Sequence, residues 1–567
     1  MQKKIYLGIF FICCFSSASL AQNIGSIKGK VIDKTTGEPL PFANVVAEIN
    51  GSQAGGAQTD FDGNYTIKPL QPGTYDVKAS FVGYTAGQVT GIIVSADKIS
   101  FQDLKLSKGA VDIKAVEITS YAVPLIDKGQ TSTQQTITAE QIESAPTRDV
   151  KSIAATTAGI VQQDEGDNLN VRGSRDNATD YIVDGVRIRG TARLPQGSVD
   201  QITVKTGGLE AQYGDNTGGV IVISTKGPSE NISIGAEAVS SELFDDYGYN
   251  LYALNISGPL YSRKTESGKQ PVIGFFINGE YQKETDRDPS AVGLHRLKPG
   301  VLDELKKSPL QLSSNGTILE PSAQYIDATD VEKINAKQNF GSKGYRFNAR
   351  IDLEPWKNIK FALGGNFDRF DTRVFNWNNQ LFNYDHNENR IETNANGYFR
   401  FTQLFKSALD KEQSASLFSN AYYSIQFDYS RFTQKRQDDD HADRLFDYGY
   451  IGKFEQTRIP NFTPTLDSLG NTIYVQSGLL DDNYLFTPGN VNPEAQAYTI
   501  QYFDFAQNDV TNLSQVLTNN ALGNGSAPAS IYSIWNGFGS VFNLFQNTEQ
   551  DQYSAKIFAS ADLKNHN

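Results

Sequence analysis

Tyr345-Arg346-Phe347-Asn348-Ala349-Arg350-Ile351-Asp352-Leu353 alternates without a break, apolar at every odd position and polar or charged at every even one. Successive side chains of a strand point to opposite faces, so this stretch has one oily face and one wet face. The pattern returns at Phe361, Leu363, Gly365 and Phe367 against Lys360, Gly364, Asn366 and Asp368. It returns again at Tyr423, Ile425, Phe427 and Tyr429 against Ser424, Gln426, Asp428 and Ser430. A soluble sandwich would bury the apolar face and a membrane barrel would turn it to lipid; alternation alone does not choose. Loop lengths do. Strands are expected at 231–241, 248–258, 271–284, 344–354, 358–372, 395–405, 416–435 and 552–563. Their connections are short at one end, as at Glu354-Pro355-Trp356-Lys357, and long at the other, at 285–343 and 436–551. Outer-membrane barrels have short periplasmic turns and long external loops. Residues 230–567 are therefore expected to form an incomplete transmembrane β-barrel with long external loops.

Composition agrees. The 567 residues include 33 Phe, 27 Tyr and 49 Gly but one Met, and only 39% are hydrophobic, as alternating strands require. No run after residue 21 is apolar for the roughly 18 residues of a membrane helix. Lys3 and Lys4, the apolar run Ile5 to Phe15 and the small residues at Ser19-Leu20-Ala21 predict a signal peptide over 1–21. The only cysteines, Cys13 and Cys14, lie within it, and Ile12 stands where a lipoprotein signal wants a small residue. Export without disulfides points to a Gram-negative envelope. A formal charge of −13 argues against a nucleic-acid partner.

Residues 22–106 read as short strands separated by turn chemistry, such as Asp60-Phe61-Asp62-Gly63-Asn64 and Gln71-Pro72-Gly73. A small β-sandwich is expected. Asp60 and Asp62 before Gly63 have the opening of a calcium loop but lack its remaining ligands, so a hairpin turn is preferred. The stretch Thr59 to Tyr65, with Pro72-Gly73-Thr74-Tyr75 and Gly83-Tyr84, resembles the carboxypeptidase-regulatory-like domain of Bacteroidetes-type outer-membrane receptors; the name refers to a fold and implies no peptidase. A polar linker, 107–130, carries Ala115-Val116-Glu117-Ile118-Thr119. Over 131–229 the spacing predicts two short helices, opened by Thr138 to Gln141 and by Val150, then glycine-punctuated strands.

In that stretch Asn170-Val171-Arg172-Gly173, Tyr181-Ile182-Val183-Asp184-Gly185, Ala211-Gln212-Tyr213-Gly214 and Gly218-Gly219-Val220-Ile221-Val222-Ile223 follow in order. This succession resembles the α/β plug domain of TonB-dependent outer-membrane transporters. The resemblance, SusC-like with its regulatory domain, implies a mainly β protein: sandwich, plug, then the first strands of a 22-stranded barrel. Eight strands would close too small a barrel to hold a plug, and the chain is read as part of a longer one. The plug motif residues are Arg172, Gly173, Asp184, Gly185, Tyr213, Gly214 and Gly219.

The resemblance further implies import of a large nutrient, a glycan, a peptide or a metal chelate, by energy-coupled plug rearrangement. Its partners would be a periplasmic TonB-type energy-coupling protein, a SusD-like surface lipoprotein and outer-membrane lipid. Ala115 to Thr119 stands where the family keeps its TonB box, a segment able to add as a strand to the coupling protein; a plain linker strand is the alternative. Arg172, Arg187, Arg189 and Arg193 are expected to pair with an acidic barrel wall, or else to bind an anionic substrate. Asp438-Asp439-Asp440-His441 with Asp443 is read as an external charge run before a divalent-metal site. His295, His386, His441 and His566 stand in no zinc spacing, and no nucleophile elbow or phosphate loop occurs. No enzyme, catalytic residue, cofactor or metal is expected. A plugged-barrel scaffold in an envelope complex, without transport, is the alternative function.

Overall fold

The computed structural model describes residues 24–563 apart from 50, 97, 110–115, 120–132, 176, 189–191, 211–212, 215, 266–267, 357, 406–417 and 508. The expected signal peptide, Ala115 and Arg189 lie outside these residues. Among the described residues no helix is long and apolar enough to cross a membrane.

Two five-stranded sheets make the N-terminal sandwich. One contains Asn64–Leu70, Gly25–Asp33, Leu104–Lys108 and Tyr84–Thr85, with Ile99–Phe101 on Gly25–Asp33. The other runs Val116–Thr119, Gly87–Val94, Gly73–Ser80, Asn44–Ile49, Ser52–Gln58. The inward positions of the alternation, among them Ile27, Val31, Val45, Ile67, Val77 and Leu104, form its core. Ser52–Gln58 was not expected: Ser-Gln-Ala-Gly-Gly-Ala-Gln has no apolar alternation, and it becomes a strand by pairing with Asn44–Ile49. At the preferred hairpin turn, Asp60 Oδ1 accepts from the amides of Asp62 (3.0 Å) and Asn64 (2.8 Å). The carboxylate thus caps a turn.

The plug is a five-stranded mixed sheet ordered Thr133–Thr138, Val199–Gly207, Val220–Thr225, Asp180–Val183, Val186–Arg187. Helices Ala139–Glu143 and Val150–Ala155 cover it around Ile142, Ile153, Ile202, Ile221 and Ile223. The amide of Thr138 donates to Gln141 Oε1 at 3.0 Å, and Asp149 caps the second helix through the Ser152 amide.

Eight antiparallel strands in chain order form the wall: Ser233–Ser240, Asn250–Thr265, Gly268–Glu284, Ser342–Trp356, Ile359–Arg373, Asn389–Leu404, Phe418–Gln437 and Gln546–Leu563. The first and last do not pair with each other, so the sheet is an open part of a barrel. Its polarity is the reverse of a soluble core. Outward Leu363 and Phe427 are 56% and 55% exposed, whereas inward Asn348 and Gln426 are each 2% exposed.

The long connections are not loose loops. Residues from 294–334, 377–386 and 451–538 share one apolar core, including Leu305, Phe382, Tyr498, Val516 and Phe538. Within it, helices Pro299–Lys307, Pro493–Ala506 and Leu513–Thr518 pack beside a hairpin of Gly452–Leu466 and Thr472–Pro488. Most of that hairpin is exposed on both faces, and Pro460 and Pro464 lie inside its first strand.

Candidate plug seat and coupling strand

The Asp-Gly hairpin turn is where plug meets wall. Asp184 and Gly185 both have positive φ, 49° and 88°, the pair of left-handed residues that a tight two-residue turn demands. The Asp184 carboxylate accepts from the amide (2.9 Å) and hydroxyl (2.6 Å) of Thr225, which ties the turn to the next plug strand. Its carbonyl faces outward and accepts from Arg400 Nη2 at 2.6 Å. Arg400 also donates through Nε to Gln426 Oε1 and through Nη1 to Gln71 Oε1, each at 2.8 Å. One guanidinium thus holds wall, plug and sandwich together. Lys556, on the last wall strand, donates to the Gly185 carbonyl and pairs with Asp428 at 3.0 Å. A Cβ on Gly185 would stand 3.2 Å from Gln426 Nε2.

A second contact is ionic. Arg193 Nη2 donates to Glu392 Oε2 at 2.6 Å, lies 3.9 Å from Asp368, and stacks over Phe370 with 4.7 Å to the ring centre. Arg148 pairs with Glu237 and approaches Glu280 at 3.9 Å. Arg193 and Glu392 are largely withdrawn from solvent, so removing one strands the other charge, whereas Glu237 is about half exposed and its pair counts for less. The four arginines expected to act together separate. Arg187 pairs with Asp180 inside the plug at 2.6 Å, Arg172 lies beside Gly207, and among the described members only Arg193 forms an ion pair with the wall. No sequence motif marks Arg148, Arg400 or Lys556. Arg400 falls on an inward position of an alternating strand, the cue that would have found it.

The remaining motif residues shape the plug. Arg172 (φ 50°) and Gly173 (φ 81°) make a second left-handed turn, and the Gly173 amide donates to Asn170 Oδ1 at 2.9 Å. Tyr213, followed by Gly214, donates its amide to Glu210 O at 3.0 Å, packs with Ile182, Val220 and Val222, and takes Lys205 Nζ 4.6 Å from its ring centre. A side chain on Gly219 would meet Val171 Cγ2 at 2.9 Å and the Lys205 carbonyl at 3.0 Å.

Val116–Thr119 is a strand. It pairs in parallel with the sandwich, Val116 opposite Gly87 and Thr119 opposite Thr90. Beside the cluster formed by the long connections, the cap, Asp438 is buried. Its carboxylate accepts from the amides of Asp440 (3.0 Å) and His441 (3.2 Å) and pairs with His386 Nδ1 at 3.1 Å, while His441 Nε2 meets Asn492 Oδ1 at 2.8 Å. Burial opposes a charge on His386, but the bond to Asp438 together with the negative charges of Asp438, Glu494 and Asp440 outweighs it and raises the histidine above its ordinary value. His386, Asp438 and Asp440 are the one group among the described residues whose ligand atoms converge, all within 4.8 Å. The charge run is a capped turn joined to a histidine that the sequence reading left alone.

Family comparisons assign the first two units. Residues 26–107 match the carboxypeptidase regulatory-like domain, and residues 127–220 match the TonB-dependent receptor plug domain. The curated relative "TonB-dependent transporter Oar" of Myxococcus xanthus is 29% identical over 237 residues, 38% of this chain and 21% of that protein. Similar solved structures include the siderophore receptor PirA of Pseudomonas aeruginosa (16% identity, TM-score 0.29, 55% of this chain and 52% of that one). The ferric enterobactin receptor PfeA of the same organism gives 13% identity and TM-score 0.32 over 57% and 52%. The chain thus spans about a fifth of the curated relative and about half of these solved chains. Two domains thus follow one another along the chain, a carboxypeptidase regulatory-like domain and then a TonB-dependent receptor plug domain. Such receptors are outer-membrane proteins of Gram-negative bacteria, and the family is one of receptors and transporters rather than enzymes.

Proposed function

We propose that this protein is a TonB-dependent transporter that imports a large nutrient across the outer membrane by energy-coupled rearrangement of its plug. The observation that carries the reading is the seat itself. Among the described residues the plug is held to the wall by charge-assisted hydrogen bonds at Arg400, Lys556, Arg193 and Arg148, and by no continuous strand pairing. Bonds of that kind are strong enough to close a resting lumen and few enough to be broken by work done from the periplasm. Val116 to Thr119, with Ala115 before it, is the segment on which the TonB-type protein pulls. Lipid covers the apolar outer face of the wall. The cargo is a glycan, a peptide or a metal chelate, received under a SusD-like surface lipoprotein lid that rests on the folded external cap, in a bacterium of the Bacteroidetes type.

Deleting Val116 to Thr119 tests this. The deleted receptor should still insert in the outer membrane, and growth on the glycan, peptide or ferric chelate that the intact receptor supports should be lost. Unchanged growth on every such nutrient, with retained protein partners, would replace transport by a scaffold role.

A further inference from the structure

The N-terminal sandwich has a free sheet edge, and the coupling segment occupies it. Val116, Glu117, Ile118 and Thr119 stand opposite Gly87, Gln88, Val89 and Thr90, and no strand among the described residues lies on the far side of Val116–Thr119. A strand has two hydrogen-bonding edges, so the segment is ordered on one and open on the other. The opposite end of the same sandwich strand is fixed to the plug. Gln201 Nε2 donates to the Val94 carbonyl at 2.9 Å; Ser95 Oγ and Thr136 Oγ1 lie 3.1 Å apart, and Thr136 Oγ1 and Thr203 Oγ1 3.2 Å apart. Ala96 is fully buried among Ile182, Tyr213, Val220 and Val222 of the plug.

We infer that the sandwich is a docking platform for the energy-coupling protein: it presents Val116–Thr119 as a ready-made edge strand, and an extended strand of that partner adds to the open side as the sixth strand of the sheet. The inference rests on the reading of Val116–Thr119 as the coupling segment. Two physical arguments favour presentation over concealment. Strand addition draws affinity from main-chain groups along one edge, and among the described residues no strand pairs with that edge. Fixing the backbone of a free segment costs conformational entropy at every residue, a cost the sandwich has already met for four residues before the partner arrives. The platform also gives the bound partner a fixed heading, because the strand that seats the segment is the one clamped to the plug.

A disulfide tests it directly, since the only native cysteines are Cys13 and Cys14, far from the seat in sequence. Glu117→Cys with Gln88→Cys places the pair on directly opposed residues of neighbouring strands, at a spacing of about 5 Å that a disulfide spans. The full-length receptor is oxidised in outer-membrane vesicles, with each single variant as control. Binding of the purified periplasmic domain of the coupling protein is then measured before and after reduction. The locked receptor should bind as well as the reduced one or up to about tenfold tighter. Binding that disappears on locking and returns on reduction would overturn the inference, because the segment would have to leave the sandwich to be captured. Failure of the pair to cross-link in a correctly inserted receptor would overturn it as well, showing that the seat is not occupied. No binding by the reduced receptor, together with unchanged uptake after deletion of Val116 to Thr119, would instead remove the coupling reading beneath it.

Discussion

Arg400→Ala should loosen the plug without harming the wall. The guanidinium donates at 2.6 Å to the Asp184 carbonyl of the plug and at 2.8 Å to Gln71 of the sandwich. Hydrogen bonds from a charged donor contribute about 1.5–3 kcal/mol each. Losing two removes at least about 3 kcal/mol of plug retention, which corresponds to roughly a hundredfold rise in the displaced population. Lys556 still holds Gly185, so the resting plug stays home and the change appears as leak. The assay is entry of a bulky antibiotic normally excluded by the outer membrane, in cells carrying equal amounts of intact or altered receptor. Influx should rise by about tenfold to a hundredfold in the alanine variant. Arg400→Lys should rise less, because one ammonium keeps the charge but cannot fork to three acceptors. Influx that stays within about twofold of the intact receptor, in Arg400→Ala and in the double variant with Lys556→Ala, would refute the assignment of the seat.

Two further outcomes follow from single positions. Gly185→Ala combines a φ of 88° with a near contact at Gln426 and should destabilise the plug by about 1–2 kcal/mol, read as faster proteolysis of the plug while the wall keeps its heat-resistant gel mobility. The His386–Asp438 pair should make the external cap pH-sensitive in both directions. The histidine is raised, so its contribution is full below about pH 6.5 and is lost as pH climbs through the raised value. Burial pushes the aspartate up, but the bond to and charge of His386, with His441 and the Asp440 amide, together lower it, so its contribution is full above about pH 4 and is lost on further acidification. Protease sensitivity of the cap should be least between those limits, and His386→Gln should abolish the alkaline arm.

The wall was legible because its contrast is written one residue at a time. Phe347 and Asn348 have opposite fates, and their neighbours repeat the contrast far enough to give every strand. The turn at Asp184-Gly185 was legible for a local reason, since few other dipeptides accept two left-handed residues. Its partners were not, because Arg400, Gln426 and Lys556 are brought to the turn only by strand register, and register between distant strands has no local signature. The hairpin in the external cap was hidden by Pro460 and Pro464, which normally argue against a strand. A two-stranded ribbon tolerates them, because each of its strands has an outer side where a missing amide costs nothing. Ser52–Gln58 shows the limit at the other extreme, a strand made entirely by its neighbour.

Those prolines also bear on life at a crowded surface. Among the described residues no third strand pairs with the ribbon of Gly452–Leu466 and Thr472–Pro488, and an exposed ribbon of that kind is a template on which other chains, or other copies, could stack into aggregates. Pro460 and Pro464 take two amide donors out of one strand; on the other strand, the register shifts beside Gly478. A third strand arriving from a neighbour finds an interrupted ladder, so the ribbon can stay exposed without recruiting further strands.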